Sequence, residues 1–446
     1  MAIQLKDHFT FSKIIRFTFP SIIMMIFTSI YGIVDGFFVS NYVGKTAFAS
    51  VNLIMPFIMI TSGIGFVFGT GGSALVSLQL GKKEAAQANR YFTMMIAITI
   101  ILGTITSIIG YCFMEQIAYL LGATEAMIDD CVLYGKINMI FNVPFMLQTL
   151  FQSLFITAQK PKLGLYTTLA AGFSNMIFDF ILIAVFPLGI TGAALATGIS
   201  QSIGGFFPVI YFMKKNRSLL RIVPTKLEAF PIIRAASNGA SEFMTNISSS
   251  LVSMLFNMQL LKYLGENGVA AYGVLMYAQF IFVAIFFGYT VGISPVISYH
   301  YGAENASEVK NLFQKSYIFI GISSVLITVI CKLFSPYLAQ LFVGYSTELL
   351  EITIKAFSLY CFTFLFSGLN TMTSAFFTAL NNGKISACIS FVRTLLFQTT
   401  CILVLPQLFG PNGIWLSTAC AEILALTISI YFLVTRKDEY RYHNHA

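Results

Sequence analysis

Residues 44–85 read GKTAFASVNLIMPFIMITSGIGFVFGTGGSALVSLQLGKKEA, and residues 265–306 read GENGVAAYGVLMYAQFIFVAIFFGYTVGISPVISYHYGAENA. Laid over each other without a gap, at an offset of 221 (265 − 44), they place Gly44, Met55, Phe66, Gly71, Ser73, Ser77 and Gly81 on Gly265, Met276, Phe287, Gly292, Ser294, Ser298 and Gly302. The same offset carries Gly189, Gly192, Leu195 and Thr197 onto Gly410, Gly413, Leu416 and Thr418. One register runs through both halves, so the chain reads as an internal duplication. The chemistry is not duplicated. Asp35 falls opposite Phe256 and Asp179 opposite Thr400, which leaves a pair of acids in the first copy only.

The 446 residues are 57% hydrophobic and 10% charged, with a mean hydropathy of +0.80. Soluble domains carry about a quarter charged residues, so this composition predicts an all-α integral membrane protein. Apolar stretches long enough to cross a bilayer as helices recur at 14–41, 47–80, 91–113, 132–158, 163–186 and 190–213, then at 232–264, 269–301, 315–341, 352–379, 385–408 and 412–434. That is twelve transmembrane helices, six per repeat. The first is too long for a signal-peptide core and is read as retained. The seven cysteines show no CxxC spacing and read as packing residues rather than a disulfide framework.

A net charge of +8 invites a nucleic-acid partner, but the positions of the charges argue against one. With the N-terminus inside, only Lys45, Lys136, Lys262, Lys332 and Lys355 fall on the outer side. The remaining 21 of the 26 Lys and Arg (26 − 5) fall on the cytoplasmic side, among them Lys82, Lys83, Arg90, Arg217, Arg221, Arg436 and Arg441. This positive-inside bias predicts both termini in the cytoplasm of a multi-pass cell-membrane protein. Six spans per half bring each half back to its starting side, which makes the repeats parallel, related by an axis along the membrane normal. The expected units are a first six-helix lobe (1–213), a charged cytoplasmic linker (214–231), a second lobe (232–434) and a cytoplasmic tail (435–446). Parallel or inverted repeats around a midplane site are a signature of secondary transporters.

Ionisable side chains inside a span need a reason, since one at mid-bilayer costs roughly 2.5–3.5 kcal/mol even on insertion scales. The set is Asp35, Asp179, Glu242, Lys332, Arg393 and Glu422. Asp35 and Asp179 fall at similar depth in the outer halves of spans one and five. Tyr31 and Asn175 each precede an acid by four residues and share its helix face. Asn138 and Asn142 from span four and Thr197 from span six reach the same depth, so these groups are expected around one cavity. Helix gluing is the bland alternative, but interhelical polar bonds average only about 0.6 kcal/mol, which makes two acids a poor choice for it. Arg393 and Lys332 are expected to snorkel toward opposite surfaces. Gly69-Thr70-Gly71-Gly72 lacks the strand and helix of a phosphate loop, and there is no Walker lysine. His8, His300, His443 and His445 lie at no metal-ligand spacing, so no cofactor or metal is expected.

Val34-Asp35-Gly36 with Gly44, the run Gly288–Gly302 ending in Tyr-His-Tyr-Gly-Ala, Asn175-x-x-x-Asp179, and Gly413-Ile-Trp followed by Glu422 together resemble the multidrug and toxic compound extrusion (MATE) family over essentially the full length. The resemblance is to its MepA-like bacterial branch. It implies two six-helix bundles around a central cleft and, as function, efflux of bulky lipophilic organic cations in exchange for protons or sodium by alternating access, with the chain acting as a monomer. Family ion-coupling residues match Asp35, Asn175 and Asp179, and the family's first-helix proline matches Pro20. Pro20 is expected as a hinge because it removes one backbone hydrogen bond from span one, with rocking of rigid lobes as the competing account. Tyr31, Asn138, Asn142, Thr197 and Glu242 are expected as supporting polar or substrate-facing groups. Span ten, with Asn370, Thr371 and Thr373, has no acid of the kind some sodium-coupled relatives use, which favours protons. Glu242 does not align cleanly with the seventh-span glutamate of other branches.

Two other functions compete. A related superfamily branch flips lipid-linked oligosaccharides, but such proteins tend toward extra helices and a cationic cavity, whereas the intramembrane groups here are mainly acidic. An intramembrane enzyme is the other, and no Ser/His/Asp set or metal cluster lies at one depth.

Overall fold

The computed structural model describes residues 3–216, 218–344, 346–440 and 442; Arg217, Arg441, His443 and His445 lie outside them. Helix is the sole regular structure among the described residues. The helices are α1 (Phe11–Phe38), α2 (Lys45–Gly81), α3 (Ala85–Cys112), α4 (Met114–Leu120), α5 (Ile128–Ile140), α6 (Asn142–Thr157), α7 (Pro161–Asp179) and α8 (Gly189–Met213) in the first half. The second half holds α9 (Ala229–Gly302), α10 (Ala306–Val343), α11 (Thr347–Tyr360), α12 (Thr363–Ala379), α13 (Gly383–Phe391), α14 (Gln398–Phe409), α15 (Pro411–Thr435) and α16 (Lys437–Tyr440). Nine helical stretches of the described residues are long and apolar enough to cross a bilayer, and eleven if each of two bent pairs is one span. The protein is a multi-pass membrane protein.

The departures from the expected spans have local causes. Span four is broken at Phe141, where α5 and α6 meet at 59°. Pro144 sits three residues beyond the break, and its ring cannot continue the helix past the Ile140 carbonyl. Span ten bends by 45° between α11 and α12 with no proline to mark it. The expected loop between spans seven and eight is absent. Instead α9 runs for 74 residues, interrupted at Gly265 alone (φ 62°, ψ −154°). A straight helix of that length would measure about 110 Å, several bilayer cores, so the turn at Gly265 makes it two legs. Only glycine takes that combination of φ and ψ without strain. Gly189 and Gly410, repeat partners, begin α8 and precede α15 at φ 59° and 57°. The recurrence of these glycines is a recurrence of backbone conformation.

The two halves meet along a seam in which the same contacts are made twice with the roles exchanged. A Cβ on Gly81 would lie 2.0 Å from the Tyr299 carbonyl oxygen, and one on Gly302 would lie 2.2 Å from that of Leu78. Position 78 is the partner of 299, as 81 is of 302 (299 − 78 = 221; 302 − 81 = 221). Gly71 packs on Ala235 and Gly239 of α9, and its partner Gly292 packs on Thr18 and Ser21 of α1. Phe66 and Phe287, also partners, meet edge to face at 5.9 Å. Self-complementary contacts of this kind are what a twofold relation produces. Pro20 lies inside α1, beside this crossing. Farther along α1, Ser29 Oγ still donates across to the Phe280 carbonyl at 3.3 Å, but Gly32 and Gly273 have nothing within 4 Å of a built Cβ.

Two extended segments cross the closed end. Before α1, Phe9 donates its backbone N–H to Glu308 Oε1 (2.8 Å), while His8 Nδ1 meets Glu308 Oε2 at 2.6 Å. The Phe9 carbonyl accepts from Asn311 Nδ2 (2.9 Å) and Lys315 Nζ (2.8 Å) on α10. Before α9, which starts three residues earlier than the expected lobe boundary, Arg221 N–H donates to Asn89 Oδ1 (2.8 Å) and Val223 N–H to Thr93 Oγ1 (3.0 Å) on α3. Each half's first helix is thus preceded by a strap seated on the other half's third long helix.

Candidate functional site

Asp35 is buried on α1, with 7% of its surface exposed, and Asp179 closes α7 with none. Thr197 of α8 donates its hydroxyl to Asp35 Oδ1 at 3.4 Å. Neither oxygen of Asp179 meets a hydrogen-bond donor, and the group facing it is the Asp35 carboxyl. Neither acid forms an ion pair among the described residues. Asn175 lies one turn before Asp179, buried, with its side-chain oxygen unpartnered. The helices loosen into π-helical turns at Val39–Val43, one turn beyond Asp35, and at Phe180–Val185, directly after Asp179. Such turns concentrate at functional sites because they shift the side-chain register of a helix without ending it.

The structure brings Asp35, Asp179, Asn175, Thr197 and Tyr31 to one place. Two further residues belong with them. Gln148 of α6 faces the Tyr31 hydroxyl, and Tyr134 of α5 is close to both acids. Asn138 stands behind Tyr134, donating to its backbone carbonyl at 2.9 Å. Asn142 is not part of the cluster. Its amide turns to α3, donating to the Gly103 carbonyl (3.3 Å) and Thr106 Oγ1 (3.0 Å), because the bend at Phe141 rotates the start of α6 away from the line of α5. Glu242 is also elsewhere, in a small cavity on the seam.

The matching depth of the second half carries different chemistry. Phe256, the partner of Asp35, stacks on Tyr272 at 5.0 Å. Arg393 does not snorkel as expected: it turns inward and pairs with Glu422, Nη2 to Oε1 at 2.8 Å and Nε to both oxygens at 2.9 Å. Asn370 donates to the same carboxylate at 2.7 Å and accepts from Ser429 at 2.8 Å, and Thr371 Oγ1 accepts from Arg393 at 3.1 Å. Every charge in this half-site is answered. Lys332 lies over the ring of Phe362 at 5.2 Å, and no group of three or more metal-ligating side chains occurs among the described residues.

The MatE family model matches the chain twice, over residues 20–181 and 243–402. The chain belongs to the MATE family. Among its relatives is the multidrug export protein MepA of Staphylococcus haemolyticus (strain JCSC1435), 26% identical over 433 residues, covering 96% of this chain and 94% of the relative. The MepA of Staphylococcus aureus (strain MRSA252) is 26% identical over 430 residues with the same coverage. The fold matches a multidrug resistance MATE family transporter of the MOP superfamily in its outward-facing conformation, at a TM-score of 0.92, 19% identity and 99% of both chains. It also matches a MOP superfamily transporter from Pyrococcus furiosus, at 0.89, 20% identity and 97% of both.

Proposed function

We propose that the chain is a secondary active multidrug efflux transporter that exports lipophilic organic cations in exchange for protons, with sodium the other ion the site chemistry admits. The observation that carries this reading is the Asp35–Asp179 pair. Two buried carboxyl groups side by side, with no cation beside them, cannot both be charged, so they are a place where a proton or a metal ion resides. An ion that comes and goes there is a handle for coupling. Relatives named as multidrug export proteins over nearly the whole chain support the cargo class.

The architecture supports alternating access. Counting the two legs of α9 separately and each bent pair as one span gives twelve spans in two parallel six-helix lobes, and the reciprocal seam contacts and the doubled family match favour that arrangement. Both termini are cytoplasmic by the positive-inside bias. The closed end, where Lys82 and Lys83 follow α2, then faces the cytoplasm, and the cleft opens outward. Pro20 is the hinge: it removes one backbone hydrogen bond from α1 beside the seam, 15 residues (35 − 20) or about 22 Å from Asp35. Ion occupancy at the acids biases one face and substrate the other, as linkage requires. Single-chain lobes that bury their seam within one molecule favour action as a monomer.

The test is transport into vesicles under imposed proton or sodium gradients with a panel of quaternary ammonium compounds and cationic dyes. Asp35→Asn is expected to abolish gradient-driven transport while leaving the protein inserted. Wild-type transport by that variant would remove Asp35 from the mechanism, and export of anions alone would overturn the cargo class.

A further inference from the structure

On the seam itself, residues of both halves line a partly open cavity of about 20 Å³, which is room for one sphere of water's size. Its one ionisable lining residue is Glu242 of α9. No hydrogen bond or ion pair to the Glu242 carboxyl is formed among the described residues. Arg393, the cation that acts on it, is already held by Glu422 and Thr371.

The remaining polar lining is hydroxyls. From the first half come Thr70, Ser73 and Ser153, and from the second Thr290, Ser294 and Thr378. Several have spent their hydrogen elsewhere. Thr70 donates to the Phe66 carbonyl (3.0 Å), Thr290 to that of Phe287 (2.9 Å) and Ser294 to that of Thr290 (2.7 Å). A hydroxyl has one hydrogen and two lone pairs, so what these three turn to the cavity is acceptors. Ser73 pairs with Thr157 and Thr378 with Ser386, both at 2.7 Å. Ser153 is 2% exposed, and its hydroxyl has no partner at all.

We propose that Glu242 and these hydroxyls form a binding site for one sodium ion, shared between the two halves. A cavity lined by a carboxylate and oxygen lone pairs is the environment hard cations select. A water could donate to only two of these acceptors. A single carboxylate neutralises a monovalent ion, whereas a divalent one would keep a net charge that no second acid of the lining answers. Because ligands come from both halves, the site is complete only while the seam is closed, and the ion holds the seam shut. That consequence rests on the alternating-access reading; the binding itself does not.

The experiment uses the purified full chain in detergent, with sodium chloride titrated against choline chloride at constant ionic strength and the thermal unfolding midpoint as readout. A ligand that binds the folded state alone raises that midpoint saturably. The wild type is expected to show this rise, Glu242→Gln to lose it, and Ser153→Ala to need several-fold more sodium for half the effect. Asp35→Asn with Asp179→Asn is expected to keep it. Equal midpoints in sodium and choline for the wild type, or an undiminished response in Glu242→Gln, would overturn the proposal. So would loss of the response in the Asp35/Asp179 variant, which would place the ion in the first half. Should Glu242→Gln fail to fold, Ser153→Ala and Thr290→Val decide: unchanged half-saturation in both overturns the site. A chain that bound sodium here and failed to export would refute the efflux reading and leave this one standing.

Discussion

Gly81→Ala should loosen the closed end, and the size of the effect follows from the contact it disturbs. The added Cβ would sit 2.0 Å from the Tyr299 carbonyl oxygen and 2.8 Å from the Ala303 nitrogen, where real Cβ contacts essentially never fall below 3.0 Å. Both obstacles are backbone, so no rotamer relieves them, and α2 and α9 must part locally by about 1 Å (3.0 − 2.0). Overpacking of this kind costs about 1–3 kcal/mol. The strain is present only while the seam is closed, so it shifts the balance between closed and parted seam by about 5- to 150-fold. Gly302→Ala makes the mirror-image clash with Leu78 and should shift the balance in the same direction. Spin labels at Ala86→Cys and Ser307→Cys, exposed repeat partners (307 − 86 = 221) flanking this end, would report it, in a background with the exposed Cys112 and Cys388 replaced by serine. A longer-distance component should appear in either alanine variant and grow in the double variant. Gly32→Ala, with nothing within 4 Å, should leave the distances unchanged. An unchanged distribution in folded Gly81→Ala and Gly302→Ala proteins would refute the claim that these glycines set the closed seam.

Asn142→Ala should lower the thermal midpoint, since it unties α6 from α3, but leave the pH dependence of transport at the wild-type profile; a shifted profile would return Asn142 to the coupling site. Removing Arg393 leaves the buried Glu422 carboxylate without its charge partner and should destabilise by about 3–5 kcal/mol, and replacing both with Met and Leu by much less; equal losses, measured by thermal unfolding, would contradict the pairing. Pro20→Ala should slow exchange while keeping substrate affinity, and unchanged transport kinetics would leave rigid-lobe rocking without a proline hinge.

The duplication and the acid pair were legible because both are written in periodicity and in residue types that a bilayer tolerates poorly. Gly44 and Gly265 recur because each backbone turn demands them, and Asp35 and Asp179 stand out against an apolar ground. What stayed hidden was neutral or directional. Gln148 and Tyr134 join the acids but read as ordinary packing residues in apolar spans. Asn142 lies off the cluster because span four is bent and not straight; Pro144 is the sign of that bend in the sequence. Arg393 read as a snorkelling residue because its partner, Glu422, lies 29 residues on (422 − 393), and only the fold brings them together. The gap between spans seven and eight (265–268) reads as a loop, whereas a single positive φ at Gly265 makes the turn.

The two straps are alike in space but not in the order in which they are made. The one before α9 finds its seat on Asn89 and Thr93 already synthesised. The one before α1 waits for Glu308 and Asn311, some 300 positions downstream (308 − 8). At translation rates of about 5–20 residues per second that interval is about 15–60 s. Throughout it the Phe9 ring keeps its contact with Phe17 of α1, but its backbone N–H and carbonyl lack Glu308, Asn311 and Lys315. Closure of this end is therefore set late in biogenesis, when α10 emerges, and an unfinished chain carries a strap whose polar anchors are still to be made.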